Sequence, residues 1–353
     1  MSAPTTASHA DAAPEGIEGK PLRTAVLGSG AWGTTFAAVL ADAGQDVVLW
    51  GRSAEVCAQI EREHRNSAFL PGVQLPPAIR ATTDPAAALR GADLVFVAIP
   101  SQFARETLTP FASLVEPHAV VVSLMKGVEL GTDQRMSQVL AEALGLPDSR
   151  IAVVSGPNLA REIAVHQPTA TVVASTSPEA AELVARACVN PYFRPYTNSD
   201  VTGVELCGAV KNVIALAVGI SQGRGLGYNT MATVITRGLA EIMRLGLALG
   251  ADAGTFPGLA GMGDLMATCA SPLSRNHTLG VHMGKGLTLD EAIVATGGTA
   301  EGVKSAESVR QLAESVGVEM PITEAVHDLL TGHIDIEDLA PRLLQRPRKD
   351  ERR

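Results

Sequence analysis

With 353 residues, 46% of them hydrophobic and only 3% aromatic, the chain can bury two separate cores, and its many small residues suit helix–helix and helix–sheet packing better than a β-sandwich. A net charge of −9 disfavours general nucleic-acid binding, which needs a basic face; an anionic small molecule would have to be met by a local group of Lys and Arg. The four cysteines, Cys57, Cys188, Cys207 and Cys269, form no C-x-x-C pair and have no histidine cluster beside them, so they read as reduced, buried thiols, and no metal site is expected.

Residues 1–20 are rich in Ala, Pro, Thr and acids and lack the basic start and apolar core of a signal peptide; they read as a disordered tail. No run approaches the roughly 18 apolar residues of a membrane span, so membrane insertion is not expected and a cytoplasmic location is. From Arg23 onward short apolar runs alternate with helical stretches. The strand candidates are Thr24–Leu27, Asp46–Trp50, Asp93–Ile99, Ala119–Leu124, Ile151–Ser155 and Ala170–Ala174. The helical ones are Thr34–Ala43, Ala54–Arg65, Ser101–Leu108, Thr132–Leu144 and Pro178–Ala187. Near-continuous apolar strands separated by helices predict an α/β, doubly wound parallel sheet over residues 21–200. Beyond Asp200 the 3.6-residue period takes over, in Thr202–Ser221, Asn229–Leu249 and four shorter stretches, which predicts an all-helical domain over 201–345. The charged residues 346–353 read as a solvated tail.

Gly28-Ser29-Gly30-Ala31-Trp32-Gly33 follows the first strand and opens the first helix. In that setting the spacing predicts a dinucleotide site. Gly28 permits the tight turn, Gly30 lets the backbone approach a pyrophosphate, Gly33 lets helix and strand pack closely, and the helix N-terminus offers free N–H groups. The second strand ends at Gly51-Arg52, with no acid to receive a ribose 2′-hydroxyl. Arg52 reads either as a surface arginine or as a fork for a 2′-phosphate, which favours NADPH or NADP while leaving NADH or NAD usable. Pro100 and Ser101, at another strand exit, border either the nicotinamide side or nothing.

In the second half Lys211 lies on an apolar helical face with Val204, Cys207, Gly208, Ile214, Ala215 and Val218. It either snorkels to water or sits in a pocket. Burial without a carboxylate partner would lower its pKa and fit it to give a proton to a developing alkoxide and take it back. Lys126 follows a strand at the carboxyl edge of the sheet and could bind substrate oxygens or polarise a carbonyl. Asn158, after Ser155-Gly156-Pro157, could be turned into the same cleft. Asp264, after Gly261-Met262-Gly263, could cap a helix, hold a substrate hydroxyl or orient Lys211. Ser274-Arg275-Asn276 opens a short helix and reads as a phosphate site. Glu301 is either an ordinary first-turn acid or a cofactor contact.

Taken together these residues resemble the bacterial soluble NAD(P)-dependent glycerol-3-phosphate dehydrogenases. Further matching segments are Asn66-Ser67-Ala68-Phe69-Leu70-Pro71, Gly208-Ala209-Val210-Lys211-Asn212, Thr236-Arg237-Gly238-Leu239-Ala240-Glu241 and Pro321-Ile322-Thr323-Glu324. The resemblance implies a Rossmann-type domain followed by a helical domain like the C-terminal domain of 6-phosphogluconate dehydrogenase, with the active site between them. It implies reversible hydride transfer between NAD(P)H and glycerone phosphate, giving sn-glycerol 3-phosphate for glycerophospholipid synthesis. Lys211 is then the proton donor and acceptor. It implies substrate contacts from Lys126, Gly156, Asn158, Asp264, Ser274, Arg275 and Asn276, with Asn212 and Thr268 as further pocket residues. Cofactor contacts are implied for the glycine-loop residues including Ala31 and Trp32, and for Arg52, Lys126, Ala160, Arg275, Thr299 and Glu301. A homodimer is expected, with a phosphorylated triose as the small-molecule partner. Two departures stand out: Asn158 where many relatives carry a hydroxyl residue, and Ala31 where many carry Ser. Competing readings are a related dehydrogenase of another ketone or hydroxyacid, and a non-catalytic redox-sensing dinucleotide binder.

Overall fold

The structure, a computed structural model, describes residues 20–297, 300–339 and 342. The segments read as tails lie outside these apart from Lys20, and so does Thr299. The first half runs β1 Arg23–Leu27, α1 Ala31–Asp42, β2 Asp46–Trp50, α2 Ala54–Glu63, β3 Arg80–Thr82, α3 Pro85–Leu89, β4 Leu94–Val97, α4 Ala104–Leu108, β5 Val120–Ser123, α5 Met136–Leu144, β6 Ile151–Ser155, α6 Ala160–Ile163, β7 Thr169–Ser175, α7 Pro178–Cys188 and β8 Phe193–Asn198. The helical half runs α8 Val201–Gly223, α9 Tyr228–Ala248, α10 Asp264–Ala270, α11 Arg275–Gly284, α12 Leu289–Thr296, α13 Glu301–Ser315 and α14 Pro321–Leu330.

Among the described residues the strands form one eight-stranded sheet in the order β3-β2-β1-β4-β5-β6-β7-β8. β4 and β5 are wholly buried runs of Leu, Val, Phe and Ser, as parallel strands covered on both faces must be. The period of two sorts side chains between two cores: Val26, Leu49 and Phe96 on one face, Ala25, Leu27, Val48 and Val95 on the other.

One pair departs from the doubly wound parallel sheet otherwise found: β6 and β7 pair antiparallel. The four-residue α6 between them rises only about 6 Å, too little to carry the chain back along a strand for a parallel return. The eleven-residue α7 is long enough, and β7–β8 is parallel again. β3 and β8 were not anticipated. Three residues hold too little periodicity to read, and β8 carries Pro195, which only an edge strand tolerates. α5 begins later than the helical pattern suggests, because Val128 and Arg135 form a β-bridge that closes the preceding loop.

The helical half surrounds α8, buried from Gly203 to Ser221. One window of α8 reaches a mean hydropathy of 1.6, long and apolar enough to cross a membrane, although no such run stood out in the sequence; that window is entirely buried within the protein. Its outer turns meet α11 through glycines on both sides. A Cβ at Gly219 would lie 2.1 Å from the His277 carbonyl oxygen, and one at Gly280 would lie 2.3 Å from that of Leu216. Only backbones without side chains approach this closely. That contact brings the start of α11 against the middle of α8, where Lys211 is.

Candidate active site

The glycine loop is built by backbone. Gly28 has φ +124°, and a Cβ there would sit 2.4 Å from the Ala98 oxygen; a Cβ at Gly33 would sit 1.9 Å from the Gly28 oxygen. Around Gly30, by contrast, none of the described residues beyond its chain neighbours lies within 4 Å of where a Cβ would be. The turn is therefore tight on its inner side and open on the outer side. Gly30 N-caps α1 without a side-chain cap, so the first-turn amides of Ala31, Trp32 and Gly33 are available to a pyrophosphate. The fit for a dinucleotide is good. Asn66, fully buried, holds the loop by donating to the Ser29 carbonyl at 2.9 Å and to the Thr34 hydroxyl at 2.8 Å. Its segment was noticed in the sequence without a role, since nothing local shows what a distant amide will reach.

Arg52 is exposed at the end of β2, next to Ser53, which N-caps α2. Ala160 begins α6, and its carbonyl accepts from the Thr35 hydroxyl of α1 at 3.3 Å. Ser101 is buried against Gly127, whose Cβ would lie 2.5 Å from the Ser101 oxygen. This close packing joins the exits of β4 and β5 and sets the path of Lys126.

The charged part of the cleft converges on Asp264, which is 1% exposed. It opens α10 directly after a π-helical turn, Leu259–Gly263, a distortion frequent at functional sites. Lys126, from the sheet side, donates to one Asp264 oxygen at 2.7 Å and to the Gly156 carbonyl at 3.2 Å. Lys211, from α8, donates to the other Asp264 oxygen and to the Thr268 hydroxyl at 2.7 Å. Two ammonium groups thus share one buried carboxylate.

Here the expectation of a lysine without an acidic partner fails. The partner comes from α10, and a helical wheel of α8 cannot display it. The lowered pKa stands on a different balance. Burial pushes the Lys211 ammonium down to about 7, the Asp264 carboxylate opposes this, and the Lys126 charge pushes the same way as burial. Of the roles weighed for Asp264, the structure shows contact with both lysines.

Asn212 and Asn276 are buried and joined, Nδ2 of Asn276 donating to Oδ1 of Asn212 at 2.9 Å, while Gly302 N donates to Asn276 Oδ1 at 2.9 Å. The pair binds α8, α11 and the start of α13 together. Nδ2 of Asn212 is enclosed with no hydrogen-bond partner among the described residues. Ser274 N-caps α11, accepting from His277 N at 3.3 Å, and Arg275 is exposed at the first helical position. Glu301 starts α13 and faces Arg275, Lys126 and Lys211; burial raises its pKa, offset by those cations and by a hydrogen bond from the Ser101 backbone. Glu301 is therefore part of the cleft wall. Asn158 donates to the Thr171 hydroxyl at 2.9 Å, and its Oδ1 is enclosed with no partner among the described residues. Gly156 has φ +149° and turns its carbonyl to Lys126.

Three comparisons bear on this site. The family described as NAD-dependent glycerol-3-phosphate dehydrogenase N-terminus matches residues 23–181, and its C-terminus counterpart matches 200–341. A glycerol-3-phosphate dehydrogenase [NAD(P)+] of Streptomyces griseus is 57% identical over 333 residues, 94% of this chain and 99% of the relative. One from Thermobifida fusca is 55% identical, covering 94% and 98%. A crystal structure of glycerol-3-phosphate dehydrogenase from Coxiella burnetii superposes with a TM-score of 0.88 at 37% identity, covering 92% of this chain and 99% of that one.

Proposed function

The chain belongs to the NAD-dependent glycerol-3-phosphate dehydrogenase family, and from that premise we propose that it interconverts glycerone phosphate and sn-glycerol 3-phosphate with NAD(P)H or NAD(P). The observation that carries the reading is the meeting of Lys126 and Lys211, from opposite walls of the cleft, on Asp264.

The glycine loop and the α1 N-terminus would hold the pyrophosphate, and Arg52 the 2′-phosphate; both nicotinamide cofactors serve, with NADPH favoured by that arginine. When bound, the dihydronicotinamide supplies a hydride to C2 of the ketone. Arg275 and the N-terminal amides of α11 grip the substrate phosphate, with Ser274 and Asn276 at the same helix end. Lys126 polarises the carbonyl, and Asn212 offers its unpartnered amide hydrogens to a substrate oxygen. Lys211 gives its proton to the C2 oxygen as the alkoxide develops and recovers it in the reverse direction. Asp264 and Thr268 aim that amine. Glu301, Ala160 and Trp32 line the cofactor side. The product is the glycerol phosphate used in glycerophospholipid synthesis, and four free, buried cysteines support placing the enzyme in the reducing cytoplasm.

The test is absorbance at the nicotinamide band with purified protein and glycerone phosphate. Oxidation of both NADPH and NADH is expected, faster at low concentration for NADPH. Loss of all signal on removing the substrate phosphate is expected; equal turnover of an unphosphorylated ketone overturns the substrate assignment.

A further inference from the structure

Glu205 lies in the second turn of α8, six residues before Lys211, and is 6% exposed. Its carboxylate reaches out of the helical half into the sheet-bearing half. Oε1 accepts from Ser137 N at 2.7 Å, and Oε2 accepts from the Ser137 hydroxyl at 2.6 Å and from Arg135 Nη1 at 2.5 Å. Ser137 N is one of the first-turn amides of α5, so the carboxylate sits where a helix terminus favours an anion. Arg135 is in turn bridged to Val128, two residues after Lys126, and Gln102 bonds both the Val128 carbonyl and Leu130 N, at 2.8 and 3.0 Å. Glu205 is therefore tied to the loop that delivers Lys126.

Six helical residues advance about 9 Å and turn the side chain by about 120° from the starting direction. The same helix thus grips the Lys126 loop on one face and presents Lys211 to Asp264 on another. Asp200 fixes the start of α8 from the helical side, accepting from Gly203 N at 2.8 Å and from Thr255 Oγ1 at 2.6 Å. With both ends of this short stretch held, the rotation of α8 about its axis is set.

We propose that Glu205 is a positioning residue that registers the two halves of the cleft, so that Lys126 and Lys211 meet on one carboxylate. This rests on the reaction proposed above. A buried carboxylate with three donors would otherwise be only a structural contact; what distinguishes it is that its partners belong to the loop of one reacting lysine and its own helix carries the other. Losing the link lets α8 turn, and displacements of about 1 Å near the chemistry reduce rate by up to about a hundredfold.

The experiment measures the single-turnover rate of NADPH oxidation by saturating glycerone phosphate, per cofactor-binding site, in Glu205→Gln and Arg135→Met. Each is expected to slow the step about tenfold while NADPH affinity stays within about twofold. The double variant should be little slower than either alone, because both break one link. A purely structural role lowers thermal stability or the number of cofactor-binding sites and leaves the rate per site unchanged, which overturns the proposal. So does a double variant whose loss is the product of the single losses. Should Glu205→Gln not fold, Arg135→Met, altered at a partly exposed side chain of the other half, decides alone. Absence of glycerone phosphate turnover in the parent removes the reaction and this proposal with it. Normal turnover in both parent and variants removes only this proposal.

Discussion

The two walls of the cleft are built by different physics. On the nucleotide side the working parts are backbone: a positive-φ glycine, a helix terminus and an open flank at Gly30. On the chemical side they are charges, the buried Lys211 and Asp264 and the part-buried Lys126 and Glu301, drawn from separate stretches of the chain. The glycine loop tolerates little change in shape and works through its amides rather than through side-chain charge. A charge cluster is sensitive to the loss of a partner, since each charge offsets the burial of the next. Perturbing one wall should therefore leave the other's function largely standing.

The sharpest way to break this contrast is Lys211→Met. Turnover is expected to fall about a thousandfold, with NADPH affinity by fluorescence titration unchanged; affinity lost along with turnover would show that the walls are not separable. The converse is Gly33→Ala. Its methyl cannot fit 1.9 Å from the Gly28 oxygen, so cofactor affinity should drop about a hundredfold, equivalent to overpacking of about 3 kcal/mol. The single-turnover rate at saturating cofactor should change far less. Arg52→Ala sharpens the nucleotide side further. Removing a charge-assisted contact should raise the KM for NADPH about tenfold and leave that for NADH alone; equal effects on both would remove Arg52 from 2′-phosphate recognition.

The smallest effect concerns Glu241, another buried acid of the helical half. It caps α14, accepting from Ile322 N at 2.6 Å and Thr323 N at 3.3 Å. Among the described residues no lysine contacts it, unlike Asp264, and burial pushes its pKa up to about 7. A raised carboxylate pKa contributes stability below the ordinary carboxylate value, lost as pH rises through the folded value. Compared with the parent, Glu241→Gln should gain about 2 °C or more in relative melting temperature between pH 5 and pH 8. A difference that stays constant or falls with pH contradicts the assignment.

The contrast also explains what could be read before any coordinates. The glycine spacing and the buried parallel strands are local, and the loop and most of the sheet follow from them. The long helices declare themselves through period alone. What eluded the sequence depends on distant parts of the chain. Asp264 reaches Lys211 across 53 residues and Lys126 across 138, and a helical wheel of α8 shows an amine with no acid. The role of Glu205 was hidden in the same way: it points off the Lys211 face, as the helical period requires, and its partners lie 68 and 70 residues earlier. The antiparallel β7 turns on the length of α6, a boundary that periodicity locates poorly.

The central claim is that a buried amine, held between one carboxylate and a second ammonium, moves the proton. The most direct measurement is the pH dependence of kcat/KM for glycerone phosphate reduction in the parent, Asp264→Asn and Lys126→Met. Reduction needs the charged amine, so the parent rate should fall with rising pH well below the ordinary lysine range. Asp264→Asn should move that limb to lower pH, and Lys126→Met to higher pH, because the first removes a charge that holds the proton and the second one that expels it. A parent profile flat to pH 9, or a limb that moves upward in Asp264→Asn, would contradict the account.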